Sequence, residues 1–111
     1  MTNQIVTDAQ VEKALDWLRD NAEQIGEAKR KAVKCDHMLK HIKAVSMGLH
    51  RELPVSAQER EAYASEAYLS AIGVAAEASA EYDTLKAMRE AAALKIEVWR
   101  SQSANYRAMK L

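Results

Sequence analysis

The second half of the chain carries a heptad repeat of apolar residues, and this repeat limits the chain to a helical fold. From Ala64 to Tyr106, alternate steps of three and four residues land on a single seam. The members of this seam are Tyr68, Ala71, Ala75, Ala78, Tyr82, Leu85, Arg89, Ala92, Ile96, Trp99, Ser103 and Tyr106. A seam of this period predicts one long helix that packs its stripe against another helix.

The composition supports long helices and argues against several other classes of protein. The 111 residues include no Phe, three Gly and one Pro, so few positions interrupt a helix. Sixteen basic residues balance 16 acidic ones, so no overall charge directs the chain to nucleic acid or membrane. No apolar run approaches the ~20 residues that a membrane-spanning helix needs. One cysteine and an N-terminus without signal-peptide features predict a cytoplasmic protein.

The first helix is predicted over residues 8–49. Thr7 and Gln10 have the spacing of a capping box, in which each side chain bonds the other residue's amide. The apolar positions are Val11, Leu15, Leu18, Ala22, Ile25, Ala28, Ala32, Cys35, Leu39, Ile42, Ser46 and Leu49. Two successive steps of three fall within residues 22–28, which also contain Gly26. Such a stammer overwinds the seam, so we expect a bend or a change of packing partner there.

A turn is predicted over residues 50–56, because Pro54 restricts the residue before it and prevents the first helix from continuing. Residues Ser56–Glu59 have the pattern of a second capping box, with Val55 placed as a hydrophobic staple. The second helix is then predicted as one uninterrupted element over residues 57–109.

A short turn between two long helices makes them antiparallel neighbours, so we expect one all-α hairpin domain over residues 1–111. With the turn centred near Leu53, the first helix starts opposite Trp99, and Arg100–Leu111 overhangs its partner helix. Two helices bury each stripe from one side only, which predicts a homo-oligomer, most simply a homodimer forming a four-helix bundle. The main core and oligomer positions are Tyr68, Tyr82, Leu85, Ile96, Trp99 and Tyr106.

Basic residues are concentrated in one part of the first helix. Residues 29–43 hold six Lys and Arg and a single acid, Asp36. The members that share an arc of about 140° on a helical projection are Lys29, Arg30, Lys34, His37, Lys40 and His41. This basic stripe is a candidate for contact with nucleic-acid phosphates, chiefly through Lys29, Arg30, Lys34 and Lys40. The alternative is a solvated face that Glu66 and Glu77 of the second helix partly balance.

The C-terminal segment 95–110 is the second candidate site. It is locally basic and carries Trp99 and Tyr106 one heptad apart, with Arg100 and Arg107 beside them. Arg together with Trp or Tyr is typical of binding hot spots and of surfaces that stack single-stranded nucleic acid. The alternative is that both aromatic residues only continue the packing seam, and for Trp99 we favour this interpretation.

No residues are arranged for catalysis or for a cofactor. His37 and His41 are four residues apart and would share a helical face, but Asp36 points away from them and no third metal ligand is placed nearby. Cys35 lies on the apolar arc without a neighbour that would activate it. We therefore expect neither a metal nor an enzyme.

Residues 90–102 and 104–107 resemble the C-terminal helix of small proteins encoded by bacteriophages and prophages, often among genes for recombination or DNA handling. The phrase Ile96-Glu97-x-Trp99-Arg100 carries this resemblance. It implies an accessory protein that acts on nucleic-acid metabolism or on a host factor, and it transfers no catalytic residue.

The sequence thus predicts a non-enzymatic accessory protein that binds nucleic acid, such as DNA, or a nucleoprotein complex. The alternative is a protein–protein interaction module that inhibits or scaffolds a host protein. In that case an acidic surface would matter as much as the basic ones. Its members are Glu52, Glu59, Glu61, Glu66, Glu77 and Glu81.

Overall fold

The computed structural model describes residues 4–110 and contains three helices. Helix α1 spans Asp8–Gly48, α2 spans Val55–Tyr63 and α3 spans Glu66–Lys110. The two long helices, α1 and α3, pack against each other, and no strand occurs among the described residues. The predicted all-α helical hairpin is confirmed. Leu111, the last residue of the predicted overhang, lies outside the described part of the chain.

The chain forms two compact units, each of which contains parts of both long helices. Within the described part of the chain, the terminal unit consists of residues 4–25 and 84–110, and the turn unit consists of Gly26–Asp83. Helix α1 passes without interruption from one unit to the other between Ile25 and Gly26, at the position of the predicted stammer.

The start of α1 is capped as predicted. The Thr7 amide donates to Gln10 Oε1 at 2.9 Å, and the Gln10 amide donates to Thr7 Oγ1 at 3.2 Å. Trp99 Nε1 donates to Asp8 Oδ1 at 2.8 Å, which confirms that the first helix begins opposite Trp99. In this terminal unit α1 and α3 therefore run in opposite directions.

The packed face of α1 follows an unbroken heptad, so the predicted stammer is wrong. Ala14 is buried and Asn21 half-buried, whereas Leu15 and Ala22, the predicted positions, are exposed. The packed positions are Val11, Ala14, Leu18, Asn21, Ile25, Ala28, Ala32, Cys35, Leu39, Ile42 and Ser46. Asn21 fits this face because its Nδ2 donates to the Trp17 carbonyl at 2.9 Å, which satisfies its amide locally.

The predicted second helix is interrupted at Ala64 and Ser65, so it forms α2 and α3 rather than one element. The Ser65 hydroxyl donates to the Ala62 carbonyl at 2.7 Å and accepts the Tyr68 amide at 3.1 Å. Ser65 thereby caps the start of α3, and its hydroxyl replaces a backbone partner that an uninterrupted helix would supply. The Tyr63 and Tyr68 rings meet edge to face across this interruption, with centroids 5.2 Å apart.

The second predicted capping box is also wrong. Helix α2 begins at Val55, directly after Pro54, and no side chain caps it. Pro54 has φ −58° and ψ 154°, so the chain enters the helix from an extended residue two positions earlier than the pattern indicated. Glu59 bonds Lys43 of α1 instead of an amide of its own helix. Val55, the predicted staple, is largely exposed.

Candidate functional site

An open cleft of about 630 Å³ lies in the terminal unit, where the first residues of the chain meet the last turns of α3. It contains four of the residues singled out from the sequence, Trp99, Arg100, Tyr106 and Arg107. Among the described residues, its lining consists of Gln4, Ile5, Trp99, Arg100, Gln102, Ser103, Asn105, Tyr106, Arg107 and Met109. We call this site the C-terminal cleft.

The two aromatic residues of the cleft are fixed to different degrees. Trp99 is half-buried, and its indole N–H is held by Asp8. Tyr106 is 43 % exposed, although it belongs to the same heptad seam. Lys110 Nζ lies 4.7 Å from the centroid of the Tyr106 ring, which is a cation–π distance. One ring is thus anchored in the packing, and the other is partly exposed, with Lys110 over one of its faces.

Gln102 joins the first residues of the chain to α3. Its Oε1 accepts the amides of Ile5 at 2.9 Å and Val6 at 3.2 Å, and its Nε2 donates to the Val6 carbonyl at 2.6 Å. Val6 itself is buried. These bonds hold Ile5 against the cleft. The sequence contains no local signal for this role, because the bonded residues are 96 and 97 positions away from Gln102.

The arginines of the cleft differ in their partners. Arg100 Nη1 lies 2.9 Å from Glu97 Oε1, one helical turn earlier, and both side chains are exposed. Arg107 is exposed and has no ion-pair partner within residues 4–110. Segment 95–110 holds four basic residues and one acid, so the cleft lies on a locally positive stretch. Of the two arginines in the cleft, Arg107 is therefore the one that an external anion could bind without displacing an acid that the structure describes.

The basic stripe of α1 is solvent-exposed and lies in the turn unit, whereas the C-terminal cleft lies in the terminal unit. Lys29, Lys34 and Lys40 make no ion pair with any residue that the structure describes. Arg30 donates through Nε to Glu27 Oε1 at 3.0 Å. This hydrogen bond lowers the pKa of the Glu27 carboxyl and raises the pKa of Arg30. Arg30 is therefore paired with Glu27, whereas the three lysines are exposed and have no ion-pair partner among the described residues.

Two further lysines near the stripe are used for packing between helices. Lys31 Nζ lies 3.7 Å from Glu81 Oε2 of α3, and Lys43 Nζ donates to Glu59 Oε1 of α2 at 2.8 Å. Lys43 also lies 4.7 Å from the centroid of the Tyr63 ring. Its pKa is raised, mainly by the hydrogen bond to Glu59 and next by Tyr63. These contacts join α1 to a glutamate of α3 and to a glutamate of α2 within the turn unit.

No group of three or more His, Cys, Asp and Glu side chains is placed to hold a metal ion within residues 4–110. Cys35 is a free, half-buried thiol on the packed face of α1. None of the described helices combines the length and the apolar character that crossing a membrane requires.

Comparisons with protein-family models, with curated proteins and with solved structures found no match.

Proposed function

We propose that this chain is a non-enzymatic protein that binds nucleic acid, alone or within a nucleoprotein complex. The observation that carries this proposal is the C-terminal cleft, which brings Trp99, Arg100, Tyr106 and Arg107 into one open site. An exposed aromatic ring beside arginines can stack a base while the guanidinium groups contact the adjoining phosphates. Tyr106 and Arg107 are the residues that we assign to these two contacts, because both are exposed and neither is bonded to an acidic side chain that the structure describes.

The basic stripe of α1 supplies a second set of phosphate contacts. Lys29, Lys34 and Lys40 are exposed and lack ion-pair partners among the described residues. They could therefore pair with the phosphates of a nucleic acid without the loss of an existing salt bridge. Binding through lysines of this kind does not depend on base sequence. We therefore propose that affinity depends strongly on salt and only slightly on the sequence of the DNA.

The resemblance of segment 90–107 to small phage and prophage proteins supports the same type of role. We propose an accessory protein that works in the cytoplasm of a bacterial host, near recombination or DNA handling. We also propose that it acts as a homo-oligomer, most simply a dimer, because a two-helix hairpin leaves each apolar stripe covered from one side.

The test is fluorescence anisotropy of labelled single- and double-stranded DNA, titrated with the full chain at low and near-physiological salt. Arg107→Glu and Lys34→Glu should each lower affinity and reduce the salt slope by roughly 0.7 to 1 per lost phosphate contact. Arg51→Glu is the matched control, because Arg51 is exposed and lies outside both basic surfaces. Absence of binding at low salt, or an equal loss in all three variants, would refute the proposal.

A second candidate function is a protein–protein interaction module that inhibits or scaffolds a host protein. It is favoured by the acidic side of the turn unit, where Glu61, Glu66 and Glu77 are exposed and form no ion pair within residues 4–110. Leu69 and Ile72 are also exposed on α3, the helix that carries Glu66 and Glu77. A host protein captured by the wild-type chain but not by Glu66→Lys, together with no affinity for DNA, would favour this function.

A further inference from the structure

A second apolar surface lies in the turn unit, beside the seam that packs α1 against α3. It is a groove of about 250 Å³ with no charged residue in its lining. The lining residues are Cys35, Met38, Ile42, Ala67, Ser70, Ala71 and Val74. Met38 and Val74 are the exposed large side chains of the two walls. We call this surface the turn-unit groove.

The heptad register explains why the groove lies on one side of the unit. With the packed positions labelled a and d, Met38 and Val45 of α1 and Ala67 and Val74 of α3 all occupy position g. In an antiparallel pair the g positions of both helices lie along the same side, as the Lys31–Glu81 ion pair shows for two further g residues.

The other side of the unit is polar on α1, where position e holds Lys29, Asp36 and Lys43. A contact between two helices buries mainly positions a and d, so apolar residues at a, d and g form a wider stripe than two helices can cover. A stripe of this width is typical of helices in larger bundles.

The charges beside the groove restrict what can cover it. Beside the groove, at positions c and g, α1 holds Lys31 and Lys34 with one acid, Glu27, whereas α3 in this unit holds Glu77 and Glu81 and no basic residue. The α1 wall of the groove therefore has a net positive charge and the α3 wall a net negative charge. A partner that matches both walls needs an apolar groove between an acidic helix and a basic helix. A second copy of this unit meets these requirements.

We infer that the turn-unit groove is the docking surface for the turn unit of a second copy, with a two-fold axis that runs along the helices. This axis places α1 of one protomer on α3 of its partner, so that basic and acidic walls face each other. A two-fold axis across the helices would place α1 on α1 and α3 on α3, so that walls of like net charge would meet. The arrangement forms a four-helix bundle around Met38 and Val74. It rests on the proposed oligomer but not on nucleic-acid binding.

Light scattering of the full chain after size-exclusion chromatography, without DNA, tests the docking surface. Wild type should show about twice the chain mass of 12.4 kDa at micromolar concentration. Val74→Lys should shift the mass toward that of one chain, because docking would bury the charged ammonium group of the lysine and remove its hydration, which costs free energy. Val33→Lys is the matched control, since Val33 is 49 % exposed and Val74 50 % exposed, and Val33 lies outside the groove. A monomeric wild type, or equal effects of both variants, would overturn the inference.

Cross-linking tests the relative orientation of the two protomers. It does not use the Val74→Lys variant, so its result does not depend on whether that variant folds. In a Cys35→Ala background, chains with Met38→Cys are mixed with chains with Val74→Cys and oxidised. The expected product is a covalent dimer that contains one chain of each kind, because the axis places α1 on the partner's α3. Dimers of the Met38→Cys chain with itself, or no mixed dimer, would overturn the orientation. Loss of DNA binding with these outcomes intact would refute the proposed function alone.

Discussion

Removing the Gln102 side chain should release the first residues of the chain from α3. Gln102 makes three hydrogen bonds to the backbone of Ile5 and Val6, at 2.6 to 3.2 Å. A typical hydrogen bond contributes about 0.5–1.5 kcal/mol net. Because Gln102 is half-buried and water can replace some of these bonds, we take the lower part of that range. For Gln102→Ala this gives a local destabilisation of about 1.5–3 kcal/mol.

Amide hydrogen exchange measured by NMR reports this release directly. Each 1.4 kcal/mol corresponds to a tenfold change in a local opening equilibrium, so the amides of Ile5 and Val6 should exchange about 10 to 100 times faster. The Gln10 amide should keep its protection, because it bonds Thr7 Oγ1 and not Gln102. The expected effect is therefore confined to the residues ahead of α1.

The matched control is Gln24→Ala, because Gln24 is an exposed glutamine of α1 and its side chain makes no hydrogen bond with any residue between 4 and 110. It should leave the exchange rates of Ile5 and Val6 unchanged. If Gln102→Ala changes neither amide, Gln102 does not hold the first residues of the chain. Equal acceleration in the two variants would show a general loss of stability and would also contradict the reasoning.

Two further substitutions test the packing and the helix interruption. Leu85→Ala should lower the free energy of unfolding by about 2–5 kcal/mol in thermal melts, because Leu85 is 9 % exposed, while Leu94→Ala should change it little, because Leu94 is 64 % exposed. Equal effects of the two would contradict the assigned core. Ser65→Ala should cost about 1 kcal/mol by removing the cap of α3, whereas Ser101→Ala, in the exposed part of α3, should cost less. A fully tolerated Ser65→Ala would show that the cap does not hold α3.

The candidate site could be predicted only in part. Trp99, Arg100, Tyr106 and Arg107 were expected together, and they do line one cleft, because residues spaced within two turns of one helix must share a region. The opposite wall, with Ile5 held by Gln102, could not be predicted. Ile5 and Val6 precede α1 and belong to no repeat, so no pattern in the sequence records that they bond Gln102.

The sequence by itself determined the features that depend on local chemistry and on a long repeat. The heptad from Tyr68 to Trp99 predicted that α3 packs along one face, and the spacing of Thr7 and Gln10 predicted the cap of α1. The turn position predicted that α1 starts opposite Trp99. Periodicity and capping could be predicted because they involve residues a few positions apart, and the helix start opposite Trp99 followed from the turn position and the equal rise per residue of the two helices.

The folded structure decided which residue is buried and where a helix begins at positions where the sequence pattern allowed two answers. Leu15 and Ala14 are both apolar neighbours of the seam, and the small Ala14 is the one buried in the contact with α3. Ser65 could have continued a helix, but its hydroxyl caps a new one, next to the Tyr63–Tyr68 ring contact. The contacts around Ser65 lie within residues 62–68, whereas the choice between Ala14 and Leu15 depends on the atoms of α3, which only the folded chain brings into contact.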